Sequence, residues 1–181
     1  MTTFAHYPSL TDRTVLITGG ATGIGACLVE QFAAQGARVG FLDIDAESGA
    51  ALAQRLAGAQ HAPLFISADL TDIAALTRGI DAVRQHFGPI AVLLNNAAND
   101  QRHKVEDTTP ESWDAGIAVN LKHQFFAAKN VAADMLRRNP RDGEAWLGVA
   151  RCAIGLNRLR VAEEALGRAE RMTALGQREE R

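Results

Sequence analysis

The sequence predicts an α/β fold, a partial doubly wound parallel sheet followed by an α-helical hairpin. Three observations carry this. Four short apolar, β-branched runs alternate with stretches of helical period up to about residue 137. A glycine cluster falls between the first run and the first helical stretch, and beyond residue 138 only helical period remains. Strands alternating with helices imply parallel pairing through right-handed crossovers.

The elements follow in order. "RTVLIT" (13–18) is a buried strand that stops at glycines. Ile24, Leu28 and Phe32 recur every four residues, as on one helix face, until Gly36 ends the pattern. "ARVGFLD" (37–43) is the second strand, and residues 46–57 form a helix stopped by Gly58. "PLFISA" (63–68) is the third strand, and Thr71 is the expected cap of a helix running to Phe87. "IAVLLN" (90–95) is the fourth strand, after which Thr109 caps a long helix with Pro110 at its first position.

Composition narrows the function. The chain has 181 residues, is 47% hydrophobic and carries a net charge of -2, so neither nucleic acid nor an anionic membrane is an expected partner. No apolar run approaches the roughly 20 residues of a membrane span. "MTTFAHYPSL" has neither the basic start nor the apolar core of a secretion signal. Cys27 and Cys152 stand apart and are expected as reduced, packed thiols of a cytoplasmic protein; the five histidines are scattered, and no metal site is expected.

Gly19, Gly23 and Gly25 lie in "TGGATGIG" (18–25), where the first strand turns into the first helix. Such a turn lets a pyrophosphate approach the main chain, and the helix N-terminus offers it free N–H groups and a partial positive charge. Thr22 and Ile24 belong to the same expected binding turn. Asp43 ends the second strand 18 residues after Gly25, where a carboxylate accepts hydrogen bonds from the adenosine ribose. A helix cap or loop acid is the plain alternative, but glycines and strand together favour the ribose. A carboxylate there repels a 2′-phosphate and no basic residue lies within the turn, so the expected cofactor is NAD.

With these motifs in place the sequence resembles the short-chain dehydrogenase/reductase family over residues 10–137. "TGGATGIG" fits its glycine motif, "ADL" (68–70) its adenine contact, "NNAA" (95–98) its NNAG, and "VNL" its active-site asparagine. The resemblance implies a Rossmann-like sheet in strand order 3-2-1-4 and an NAD-binding region over 1–137. It places Asp69 and Leu70 at the adenine, Asn95 and Ala97 on the approach to the nicotinamide ribose, and Asn120 at the proton-relay position. "YPSL", "FLDI" and "NDQRHK" further resemble NAD-dependent aldose 1-dehydrogenases, which implies oxidation of an alcohol or sugar, with "RHK" (102–104) in contact with a polyol in full-length relatives.

The family's remaining catalytic groups have no counterpart. Its serine, tyrosine and lysine follow the asparagine, whereas the last serine here is Ser112, the last lysine Lys129 and the only tyrosine Tyr7. Residues 138–181 differ in character as well: 10 of 16 arginines follow residue 136, and all three lysines precede it. "EAWLGVARCAIGLNRLRVAEEALGRAERM" resembles a single tetratricopeptide repeat, with Trp146, Val149, Ala150 and Ala153 on a first helix, Asn157 near the turn, and Ala162, Leu166 and Ala169 on a second. An ordinary helical hairpin fits equally well.

Two main readings stay open from sequence: an NAD-binding part of a dehydrogenase, inactive alone, or an interaction module whose hairpin recruits a partner on a vestigial or chimeric nucleotide scaffold. A third is an oxidoreductase completed by another chain. An exposed fourth-strand edge or the hairpin is the expected route of self-association or of protein binding.

Overall fold

The computed structural model describes residues 5–102, 104–138 and 159–179. Its four strands, β1 (Thr14–Thr18), β2 (Arg38–Asp43), β3 (Leu64–Ser67) and β4 (Val92–Asn95), form one sheet in the order 3-2-1-4. All three pairings are parallel, with Ile17 opposite Phe41 on one side and Leu94 on the other. The expected strands, order and direction are all present, each strand starting one or two residues later than the sequence suggested.

Alternation along the strands feeds both faces of the sheet. Val15, Ile17, Val39 and Phe41 join Val29 and Ala33 of helix α1 (Gly23–Ala34) and Leu52 of helix α2 (Ala46–Arg55) in one buried cluster. The intervening residues meet helix α3 (Ile73–Phe87): a β-carbon on Gly40 would strike Val83, and one on Gly79 would strike Leu42. Side chains of β1 are therefore buried on both faces, as a central parallel strand requires.

Several local expectations are corrected. The buried face of α1 is Gly25, Val29 and Ala33; Leu28 and Phe32 flank it, and Ile24 is 77% exposed. Gly25 is the reason: without a side chain it lets the helix press against the β1 turn, which rotates Ile24 outward. Helix α3 is capped by Asp72, whose carboxylate accepts the Ala74 N–H, whereas Thr71 turns its hydroxyl to Asp69. Cys27 is exposed, not packed, and Cys152 lies outside the described residues.

Thr109 does cap a long helical segment, with Pro110 at its first position and Ser112 completing a capping box. The segment is not uniform. Helix α4 (Pro110–Ile117) passes through a π-helical turn (Ala118–Lys122) into helix α5 (His123–Arg138). Ile117, Ala118 and His123 keep right-handed helical angles across the turn, so the chain widens without breaking.

The chain divides into two compact units, Met1–Ala127 and Ala128–Arg181. In the second, helix α6 (Leu159–Glu179) buries Ala162, Ala165 and Ala169, while Leu166 is 36% exposed. The buried stripe thus runs through Ala165 instead of the expected Leu166. Trp146, Val149, Ala150, Ala153 and Asn157 lie outside the described residues. Among the described residues no strand follows Asn95, and no helix is long and apolar enough to cross a membrane.

Candidate functional site

A cleft of about 750 Å³ opens at the carboxyl ends of β1, β2 and β4. The strand order reverses between β1 and β4, and ligands of open α/β sheets bind at such a switch point. Gly19, Thr22, Gly23, Ile24 and Gly25 form one wall, Asp43, Asp69 and Leu70 a second, and Asn96, Ala97, Ala98 and Asp100 a third, with Val119 of the π turn.

The glycine wall is built by backbone shape and by contact. Gly19 has φ +67° and a β-carbon there would sit 2.7 Å from Ala97 Cα; at Gly25 it would sit 1.7 Å from the Gly19 carbonyl oxygen. A side chain at either position displaces the turn. Helix α1 begins at Gly23, immediately inside this wall, so its first N–H groups face the cleft end of the sheet.

Asp43 is held by two backbone donors. Its Oδ2 accepts the Ala21 N–H at 2.9 Å and its Oδ1 the Asp45 N–H at 3.0 Å. The carboxylate is thereby fixed at the rim beside the glycine turn. Asp69 Oδ1 accepts both the Thr71 N–H (2.9 Å) and the Thr71 hydroxyl (2.7 Å). Among the described residues lining the cleft there is no lysine or arginine.

The third wall hangs on β1. Thr18 Oγ1 accepts N–H groups from Asn96 (3.1 Å) and Ala97 (3.2 Å), and the Asn96 side-chain amide donates to the Thr18 and Gly19 carbonyls at 3.1 and 2.7 Å. Asn96, read from sequence only within the NNAA motif, and Asp100, not singled out from sequence, line the cleft, whereas the Asn95 amide donates to the Gln124 carbonyl of α5 at 3.3 Å and is not a lining residue. The two asparagines are adjacent on one strand end and point opposite ways, a distinction that period alone could have supplied. Asn120 clamps the loop after β4: its Oδ1 accepts the Asn99 N–H (2.8 Å) and its Nδ2 donates to the Asn99 carbonyl (2.9 Å). His103 lies outside the described residues; Arg102 and Lys104 are exposed.

Comparison with known proteins agrees with this geometry. The family model described as short chain dehydrogenase matches residues 13–144. A probable galactose dehydrogenase of Rhizobium meliloti is 49% identical over 74% of this chain and 53% of its own length. The D-xylose 1-dehydrogenase of Caulobacter vibrioides is 43% identical over 93% of this chain and 66% of its own length, so that likeness extends beyond residue 138. The chain thus spans about half to two thirds of the length of these two relatives. Among solved structures, a short-chain dehydrogenase/reductase from Serratia marcescens superimposes with a TM-score of 0.68 at 32% identity, covering 71% of this chain and 53% of that one. A blue fluorescent protein from a metagenomic library, determined with NADPH, gives 0.67 at 29% identity over 70% and 52%. The family match over most of the chain, the sugar-dehydrogenase relatives and the shared sheet establish that this chain belongs to the short chain dehydrogenase family.

Proposed function

We propose that the chain binds NAD through its adenosine end and is the nucleotide-binding part of a dehydrogenase acting on a sugar or small alcohol. The observation that carries the cofactor reading is Asp43, held by two backbone N–H groups at the rim of a cleft whose described lining has no cation. A fixed carboxylate receives a ribose diol well and a 2′-phosphate badly. In this reading Gly19, Thr22, Gly23, Ile24 and Gly25 face the pyrophosphate, Asp69 and Leu70 the adenine, and Ala97 the nicotinamide side. The nucleotide region is 1–137, with 138–181 a separate helical region.

When bound, the nicotinamide would supply the hydride acceptor. The chain's own residues orient the nucleotide, and Asn120 holds the loop over the cleft. The substrate class rests on the likeness to galactose and xylose dehydrogenases, and the exposed Arg102 and Lys104 are placed on the loop expected to meet a polyol. Chemistry is another matter. The only tyrosine, Tyr7, lies beside Gln35, its N–H donating to Gln35 Oε1 at 2.7 Å. That is just past the far end of α1 from the glycine turn, about 18 Å away for a helix of 12 residues. Among the described residues, then, no tyrosine, serine or lysine stands at the cleft as a base, and the chain alone is proposed to be inactive. β4, a terminal strand of the sheet with half-buried Val92, Leu93 and Leu94, is the proposed surface for self-association.

Calorimetry with NAD, NADP and AMP tests the reading. Binding of NAD and AMP with comparable affinity, and weaker binding of NADP, is the expected result. Equal or tighter binding of NADP overturns the Asp43 assignment, and no binding by any of the three overturns the nucleotide function.

A further inference from the structure

His123, on the first turn of α5, is completely buried. Its Nε2 lies 3.4 Å from Thr18 Oγ1, and its Nδ1 makes no well-formed hydrogen bond, the Val119 carbonyl being the one backbone acceptor that bears on the ring. The sequence offers only a histidine among scattered histidines, three residues after Asn120. Its place in the fold is specific: it stands directly behind the hydroxyl that organises the third wall of the cleft.

The hydrogen-bond capacity of Thr18 decides the role of the ring. A hydroxyl has one proton and two lone pairs. Both lone pairs are taken, by the N–H groups of Asn96 and Ala97. A protonated Nε2 would bring a third donor to an oxygen with no lone pair left. The hydroxyl proton, in contrast, has two acceptors within range, His123 Nε2 at 3.4 Å and the Leu94 carbonyl at 3.5 Å. The tautomer assigned from this network carries its proton on Nδ1.

We infer that His123 is a positioning residue of the cleft, a neutral imidazole whose Nε2 accepts the Thr18 hydroxyl proton and thereby keeps both lone pairs of that oxygen on Asn96 and Ala97. Those two residues line the cleft, and Ala97 packs against Gly19 so closely that no β-carbon fits between them. His123 thus acts on the nucleotide through Thr18 and the loop, without touching the ligand. The neutral state has physical support: burial pushes the pKa of His123 below its ordinary value, and the Val119 carbonyl opposes this only in part. The π turn contributes by register, because the His123 N–H bonds to the Ala118 carbonyl and not to that of Val119. The cleft's being a nucleotide site rests on the function proposed above; the tautomer and the loop contacts do not.

Long-range ¹H–¹⁵N NMR of the ligand-free chain at neutral pH reads the tautomer directly. A neutral ring protonated at Nδ1 is expected; an Nε2-protonated ring or an imidazolium overturns the inference. Amide hydrogen exchange then separates positioning from packing. His123→Phe, which fills the space without an acceptor, should speed exchange at Asn96 and Ala97 about tenfold, the loss of one hydrogen bond's support. His123→Gln, which returns an oxygen near the Nε2 position, should restore most of the protection. Equal exchange in the two variants overturns the positioning role, and if His123→Phe does not fold, the tautomer of the parent chain still decides. NAD affinity should follow the same order, parent and His123→Gln above His123→Phe. If the parent binds no nucleotide while tautomer and exchange come out as expected, the proposed function fails and the role of His123 in the loop stands.

Discussion

Gly25 would carry a β-carbon 1.7 Å from the Gly19 carbonyl oxygen, so Gly25→Ala must open the turn or shift α1. Overpacking of this kind costs about 1–3 kcal/mol. The expected outcome is a lower denaturation midpoint together with lost nucleotide binding. At Asp43 the loss is more selective. Asp43→Ala removes a charge-assisted acceptor worth about 1.5–3 kcal/mol, tenfold or more in NAD affinity by calorimetry. Unchanged affinity would exclude Asp43 from the site. Both residues were legible in the sequence because their reasons are local: a strand running into glycines, and an acid at the next strand's end. Ile24 was not legible as an exposed residue. Its spacing with Leu28 and Phe32 reads as a buried face, and only the close seat of Gly25 against β1 shows that the face is turned one residue toward Val29.

Along the elements, legibility divides between capping and helix register. The Thr109 cap and Pro110 start were visible because both act within one turn, and Thr109→Ala should cost about 1 kcal/mol in urea unfolding while leaving the sheet intact. The π turn at Ala118–Lys122 was not visible, since no glycine or proline marks it. It is recognised from the Asn120 clamp on Asn99 and the seating of His123 behind Thr18, both contacts across 21 residues or more. The depressed pKa of His123 has a consequence for stability. Unfolded, the ring takes up a proton as pH falls through about 6.5, while the native ring refuses it until a lower pH. The unfolded state then binds more protons, so the native fold loses stability below about pH 6.5, by at most about 1.4 kcal/mol per pH unit from this group. His123→Gln should flatten that part of the profile in denaturant titrations at neutral and mildly acidic pH. An equal acid slope in both chains would place the proton uptake elsewhere.

Taken whole, the molecule joins a well-formed cleft, the proposed nucleotide site, to a sheet that, among the described residues, ends at β4. The sequence made the sheet order legible through strand–helix alternation and family resemblance, but not the fate of the region after residue 138, whose single repeat-like pattern has no neighbouring repeat to confirm it. The consequence for chemistry is a matter of distance and of parts. Hydride transfer from an alcohol needs a base beside the reacting hydroxyl, and general acid–base assistance is typically worth about 10²–10⁴-fold. Tyr7 is tied to the far end of α1 by Gln35, and Ser112 is engaged with Thr109 in a helix cap. Asn120 spends both ends of its amide on Asn99. Positioning of the two reactants, which can contribute about 7–11 kcal/mol, also requires a wall beside the proposed nicotinamide position beyond those that the described residues build. The chain incubated with NAD and xylose, galactose or glucose should therefore form no NADH above the uncatalysed rate, even at high protein concentration. Turnover that survives repurification and is lost in Asn120→Ala would show that a base has been placed in the cleft, and the reading of this chain as a nucleotide-binding part would fall.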